Sequence, residues 1–122
     1  MALLYEELTG KILEACFEVI NELGSGFLES VYQRALALAL QQKGLEVKAQ
    51  FPVSVSFRGQ SVGQFLADLL VEEKVIVELK AVTALTGEHQ AQVINYLKAS
   101  GIEVGLLVNF GRPKLEYRRF HK

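Results

Sequence analysis

Cysteine is all but missing. Cys16 is the single one in a chain of 122 residues, which excludes an intramolecular disulfide and a cysteine-built zinc cluster and fits a reducing compartment. Long apolar runs are missing too, since no stretch approaches the roughly 18 residues that a membrane helix requires. The opening segment, Met1 to Glu7, reaches acidic residues at once and has neither a basic start nor an apolar stretch. No signal peptide and no membrane partner are therefore expected, and a cytoplasmic location is. An excess of either charge is also absent: 13 basic and 14 acidic side chains leave a net charge of −1. That balance argues against a protein that coats nucleic acid by bulk charge, and leaves room for a local basic patch. The one obvious basic group, Arg112, Lys114, Arg118, Arg119 and Lys122, suits a solvated edge strand. Repeats, low-complexity tracts and linkers do not occur, so residues 1–122 are expected to form one domain, large enough to bury a core without staples.

What is present is strongly patterned. Leu8, Ile12, Cys16 and Ile20 recur every four residues, which predicts a helix from Glu6 to Leu23, stopped by Gly24-Ser25-Gly26. A second helix is predicted from about Leu28 to Lys43, with Leu28, Val31, Tyr32, Ala35, Leu36 and Ala39 as its buried stripe. The period then changes to two. Val47 to Phe51 and Val53 to Phe57 alternate as a half-buried strand interrupted by Pro52. Further strands are predicted over Ser61 to Val71 and Val75 to Val82, separated by the turn Glu72-Glu73-Lys74. Thr86 suits a cap for a third helix from Glu88 to Ser100. A buried strand Val104 to Val108 and a last strand Leu115 to Phe120 complete the order α-α-β-β-β-α-β-β. That order describes an α/β fold of the α+β type, a mixed sheet with helices against it.

The third strand, Val75-Ile76-Val77-Glu78-Leu79-Lys80, carries the chemistry. Alternation puts Val75, Val77 and Leu79 on one face and Ile76, Glu78 and Lys80 on the other. Charged side chains inside so apolar a strand are expected to be paired or to hold a metal. A three-residue loop, Glu72 to Lys74, would pair Val71 with Val75 and, continuing the ladder, set Asp68 opposite Glu78. A two-residue loop would instead set Asp68 opposite Leu79, with the carboxylates on different faces. In the first register the carboxylates repel. Lys80 supplies one compensating charge, and a divalent cation such as Mg²⁺, which one or two carboxylates typically hold, is the natural second.

Asp68, nine intervening residues and Glu78-x-Lys80, on adjacent strands ahead of a helix, resemble the motif of the PD-(D/E)xK nucleases, with Ala67 where that family usually has proline. Gly26-Phe27-Leu28-Glu29-Ser30-Val31-Tyr32 matches the Gly-x-x-Glu-x-x-Tyr (GxxExxY) signature of a family of small proteins in that superfamily. Gln92-Val93-Ile94-Asn95-Tyr96 resembles the Gln-x-x-x-Tyr motif of its RecB-like branch, its two ends on one helix face. The resemblance runs from Leu4 to Phe120.

The resemblance implies a restriction-endonuclease-like core, a mixed β-sheet flanked by helices with the site at one edge. It implies that Asp68 and Glu78, with the Leu79 carbonyl and Glu29, bind Mg²⁺ or Mn²⁺. Lys80 would position or activate the attacking water, and Gln92 and Tyr96 would line the same pocket. The implied activity is metal-dependent hydrolysis of phosphodiester bonds, with nucleic acid as partner, DNA ahead of RNA. The alternative is a nuclease-fold binding or regulatory module with weak or no catalysis, which the small size and near-neutral charge favour. A third reading is an inert sheet whose acids merely pair with Lys80. One small domain covers little duplex and an exposed edge strand invites pairing, so a homodimer is compatible with the sequence.

Simpler roles stand beside these. Glu29 suits the start of a helix dipole, and Tyr32 suits a core aromatic. His89, near a helix start, suits a cap or an exposed position. Cys16 has no basic neighbour to activate it and suits a buried helix position.

Overall fold

The computed structural model describes residues 4–122; Met1 to Leu3, the start of the segment read above for a signal peptide, lie outside the described residues. The elements are α1 (Glu6–Leu23), α2 (Glu29–Gln42), β1 (Val47–Phe57), β2 (Gln60–Val71), β3 (Val75–Lys80), α3 (Gly87–Ser100), β4 (Val104–Asn109) and β5 (Glu116–His121). Their order is the predicted one. The strands form one sheet in the order β1-β2-β3-β4-β5. Neighbours are antiparallel except β3 and β4, which run parallel because α3 crosses between them.

The sheet is covered on both faces. Ile12 and Cys16 of α1 and Tyr32, Leu36 and Leu40 of α2 pack with Leu69, Val71, Val77, Leu79, Leu106 and Val108. On the other face Tyr96 and Leu97 of α3 pack with Val53, Ala67, Leu70 and Ile76. Each fully buried aliphatic side chain contributes roughly 1.5–3 kcal/mol, so β3 and β4, buried on both faces, hold the centre of the sheet. Among the described residues, no helix is long and apolar enough to cross a membrane.

Three differences from expectation shape the sheet around the site. Pro52 does not interrupt its strand: β1 runs through it, with Pro52 opposite Leu66. β1 lies at the sheet edge, where a residue without an N–H is tolerated. β3 ends at Lys80, short of Val82, because the Val82 main chain is bound by the Asn109 side chain and leaves the ladder. β4 correspondingly runs on to Asn109, in register with Lys80. Of the basic tail, Arg118 and Arg119 fall on β5, the other edge. There Arg119 is already engaged, its guanidinium donating to Thr9 Oγ1 at 3.0 Å and to the Leu4 carbonyl oxygen.

Candidate active site

The turn between β2 and β3 forms as the longer-loop register requires. Val71 pairs with Val75, Leu70 with Ile76 and Leu69 with Val77. The expected next step, Asp68 directly opposite Glu78 in the same ladder, does not occur, because the main-chain ladder ends at Leu69–Val77. On the other side of β2 the β1 pairing also skips Asp68, where Gln50 takes a left-handed backbone with φ of 54°. Ala67 then joins Leu70 against α3, although strict alternation would place it with Leu69. β2 and β3 part at Asp68.

The carboxylates take over where the ladder stops. The Asp68 N–H donates to Glu78 Oε1 at 2.7 Å, and the Leu79 N–H donates to Asp68 Oδ2 at 2.8 Å. Two ionised carboxylates facing each other across a closed ladder would repel. Opening the strands frees two main-chain N–H groups, which the carboxylates then satisfy. The β2–β3 register brought Asp68 and Glu78 to one place, and tertiary packing parted the two strands there.

Glu78 is only 3% exposed. Burial, followed by the Asp68 charge, pushes its carboxyl up to about 8, against the opposing pull of the Asp68 N–H and Lys80. Burial also raises Asp68, opposed by the Leu79 N–H and Lys80. Both carboxyls thus sit in the charge field of Lys80, the next residue but one along β3 from Glu78. Such a pair holds a proton more tightly than a free carboxyl does, and a cation can take that proton's place.

Glu29 reaches the same site from α2. Burial raises its carboxyl, the nearby Asp68 charge raises it further, and Lys80 opposes both. It adds negative charge without closing a ligand cage. Among the described residues, no three His, Cys, Asp or Glu side chains come together at metal-holding distance.

The residues around Glu29 explain the motif that contains it. Gly26 has φ of 111°, a backbone that a residue with a Cβ rarely adopts, and it turns the chain out of the 24–28 loop into α2. The Tyr32 hydroxyl donates to the Gly24 carbonyl oxygen at 2.6 Å and accepts from the Phe27 N–H at 3.1 Å. Its ring stacks on Phe110 with centroids 4.9 Å apart. Tyr32 is a core aromatic, as the simpler reading had it, and its hydroxyl also fixes the loop that delivers Glu29.

Gln92 and Tyr96 lie together on α3, with Gln92 Nε2 donating to the Tyr96 hydroxyl at 3.2 Å. Burial raises the Tyr96 phenol, and the charges of Glu78 and Asp68 raise it further. Thr86 caps α3 as predicted. His89 closes the cap, its N–H donating to Thr86 Oγ1 and its Nδ1 accepting from the Thr86 N–H. That places His89 in the capping role rather than in the site.

Sequence reasoning missed Asn109, which is fully buried. Asn109 Oδ1 accepts from the N–H groups of Val82 and Gly111 at 3.0 and 2.9 Å, and its Nδ2 donates to the Val82 carbonyl oxygen at 2.9 Å. Nδ2 also donates to Glu116, which accepts in turn from the Leu85 N–H. These bonds hold the loop that follows Lys80. Gly111 is the companion of this clasp, since a Cβ there would lie 2.1 Å from the Val82 carbonyl oxygen. The signal was available: Asn109 is the lone polar side chain in the apolar run Val104 to Phe110, and such residues are normally fully hydrogen-bonded.

Comparison with known proteins agrees with this fold. A family model, described as the PD-(D/E)XK nuclease superfamily, matches residues 6–120. Among solved structures, the chain is similar to the crystal structure of SSO0001, with a TM-score of 0.63 and 15% identity over 97% of this chain and 60% of that one. It is also similar to an alkaline exonuclease from Laribacter hongkongensis, with a TM-score of 0.57 and 12% identity over 100% of this chain and 72% of that one. At these identities the likeness concerns the fold, a mixed sheet with helices. The chain thus spans 60% of the length of the first of these structures. No curated protein matches the sequence.

Proposed function

The chain belongs to the PD-(D/E)XK nuclease superfamily, and from that premise we propose that it hydrolyses phosphodiester bonds in nucleic acid at the wedge between β2 and β3. The observation that carries this reading is the position of Asp68 and Glu78. Two carboxyls, one of them pushed up to about 8 by burial and by the other's charge, stand where two strands part beside Lys80. Within the superfamily we place the chain with the Gly-x-x-Glu-x-x-Tyr proteins, on the roles of Gly26, Glu29 and Tyr32 described above.

The donor set suits Mg²⁺ or Mn²⁺. Two carboxylates with a main-chain carbonyl match the hard oxygen ligands these ions prefer, with water and substrate phosphate completing the shell. Asp68, Glu78 and the Leu79 carbonyl would hold the ion, and Glu29 would add negative charge nearby. When bound, it would supply a water of lowered pKa and neutralise charge on the phosphate. The chain's own residues do the rest. Lys80 places an ammonium beside the carboxylates, where it orients a water and stabilises the charge that grows on phosphorus-bound oxygen. Gln92 and Tyr96 offer an amide and a hydroxyl at the border of the wedge. The Asn109 clasp keeps the loop after Lys80 from drifting.

Incubation of the purified protein with mixed DNA and RNA substrates and Mn²⁺ tests this. Cleavage that falls by about 10²–10³-fold in Lys80→Ala, and likewise in Asp68→Ala, is the expected result. Metal and nucleic-acid binding with no turnover by the wild type would leave the binding-module reading instead.

A further inference from the structure

A second feature lies beside the wedge. The β1–β2 hairpin leans over α3 and leaves a groove of about 790 Å³, lined by Ser54 and Ser56 of β1, Phe65 of β2 and Gln92, Asn95 and Tyr96 of α3. The volume lies within the roughly 300–1,000 Å³ typical of sites for small organic groups. One acid, Glu88, and one base, Lys98, border it, so its lining is formally neutral and suits an uncharged group better than a phosphate.

Its polar and aromatic parts are arranged in a particular way. Phe65 is 48% exposed, although its ring packs against Tyr96 with centroids 5.7 Å apart. A half-open aromatic ring offers a face for stacking. The Gln92 amide bonds Tyr96 through one end only, and its buried Oε1 has no hydrogen-bond partner among the described residues. A buried polar atom of this kind is rare unless something supplies the missing bond. Asn95, Ser54 and Ser56 add further donors and acceptors. Tyr96 belongs to both places, lining the groove and lying within the field of Asp68 and Glu78.

We infer that this groove receives an unstacked base of single-stranded nucleic acid, with Phe65 under its face and the Gln92 amide against its polar edge. A base inside a duplex has neither a free face nor a free pairing edge, since neighbours cover the one and its partner base occupies the other. The adjoining wedge would then act on a strand end or an opened strand. The ligand class rests on the nuclease reading; the groove, the ring and the unpartnered amide do not.

Binding is measured by fluorescence anisotropy in EDTA, which prevents cleavage, using short labelled single strands of DNA and of RNA and a blunt DNA duplex. The wild type is expected to bind single strands more tightly than duplex. Phe65→Ala is expected to weaken single-strand binding roughly tenfold, the size of one lost aromatic stack, and Phe65→Trp to keep it. Gln92→Leu, on a different element, is expected to weaken it as well. Phe57→Ala, an exposed ring of the same hairpin outside the groove, is expected to bind as the wild type does. Equal binding of duplex and single strands would overturn the inference, as would wild-type affinity in Phe65→Ala or an equal loss in Phe57→Ala. Cleavage of the single strands by the wild type with Mn²⁺, run in parallel at saturating substrate, reports on the wedge and would survive failure of the groove.

Discussion

The Asp68 main-chain N–H donates to the Glu78 carboxylate at 2.7 Å, so the residue whose charge raises Glu78 also supplies the bond that keeps it in place. The balance of the two is a raised Glu78, and it has consequences for stability. The group moves from 4.5 in the unfolded chain to about 8 in the folded one, so the folded protein retains a proton that the unfolded chain releases. Its contribution to stability is complete below pH 4.5 and is lost as pH rises through about 8. The urea midpoint of the metal-free protein is therefore expected to fall between these limits. In Glu78→Gln, which keeps an oxygen to accept from Asp68, the decline should flatten, leaving the variant more stable at pH 8 by on the order of a few kcal/mol. Parallel pH profiles for the two proteins would contradict this assignment.

Binding of Mg²⁺ or Mn²⁺ should displace that proton. A cation lowers the Glu78 pKa from about 8, so at pH 7 uptake of the ion is expected to release a proton to buffer. Calorimetry in two buffers of different ionisation enthalpy measures it directly. The release should vanish in Glu78→Gln, and the accompanying rise in melting temperature should vanish in Asp68→Asn.

Tyr32→Phe isolates the hydroxyl. The ring stays stacked on Phe110, while the Gly24 carbonyl and the Phe27 N–H lose their partner. A cost of about 1–3 kcal/mol is expected. Hydrogen exchange should show faster opening confined to residues 24–28, with cleavage reduced by more than the stability loss explains, because Glu29 follows that loop. Tyr32→Ala removes the ring too, and about 3–5 kcal/mol is expected.

Asn109→Leu keeps the branching of the side chain and removes the clasp. The freed Val82 N–H and carbonyl, the Gly111 N–H and Glu116 all lose a bond, which should lower stability by about 1–3 kcal/mol or more. Amide exchange should accelerate in the loop between β3 and α3 before it does in β3 itself. Gly111→Ala should injure the same loop by a different route, since its methyl group meets the Val82 main chain. If both variants exchange as the wild type does, the loop is held by something else.

Much of the site could be read from residue order because its carriers break a pattern. Glu78 and Lys80 are charges within Val75 to Lys80, and Asp68 is a charge within Phe65 to Val71; of the three only Glu78 is fully buried, the other two half-buried. The Thr86 cap, the limits of α1 and the register of the β2–β3 turn were readable for the same reason, since each depends on neighbours a few residues apart. The meaning of Glu29 was less so. Its spacing to Gly26 and Tyr32 was visible, but that Tyr32 binds Gly24 and Phe27 depends on how a helix end folds back on its own loop.

Order along the chain determined the elements, their sequence and which face of β3 carries its charges, because periods of two and of about four are set by local backbone geometry. Packing decided the rest. The parting of β2 and β3 at Asp68, the clasp of Asn109 on Val82 and the groove between Phe65 and Gln92 each join segments distant in the chain. Which main-chain groups stay free for a side chain to capture is known only once sheet and helices have closed on one another.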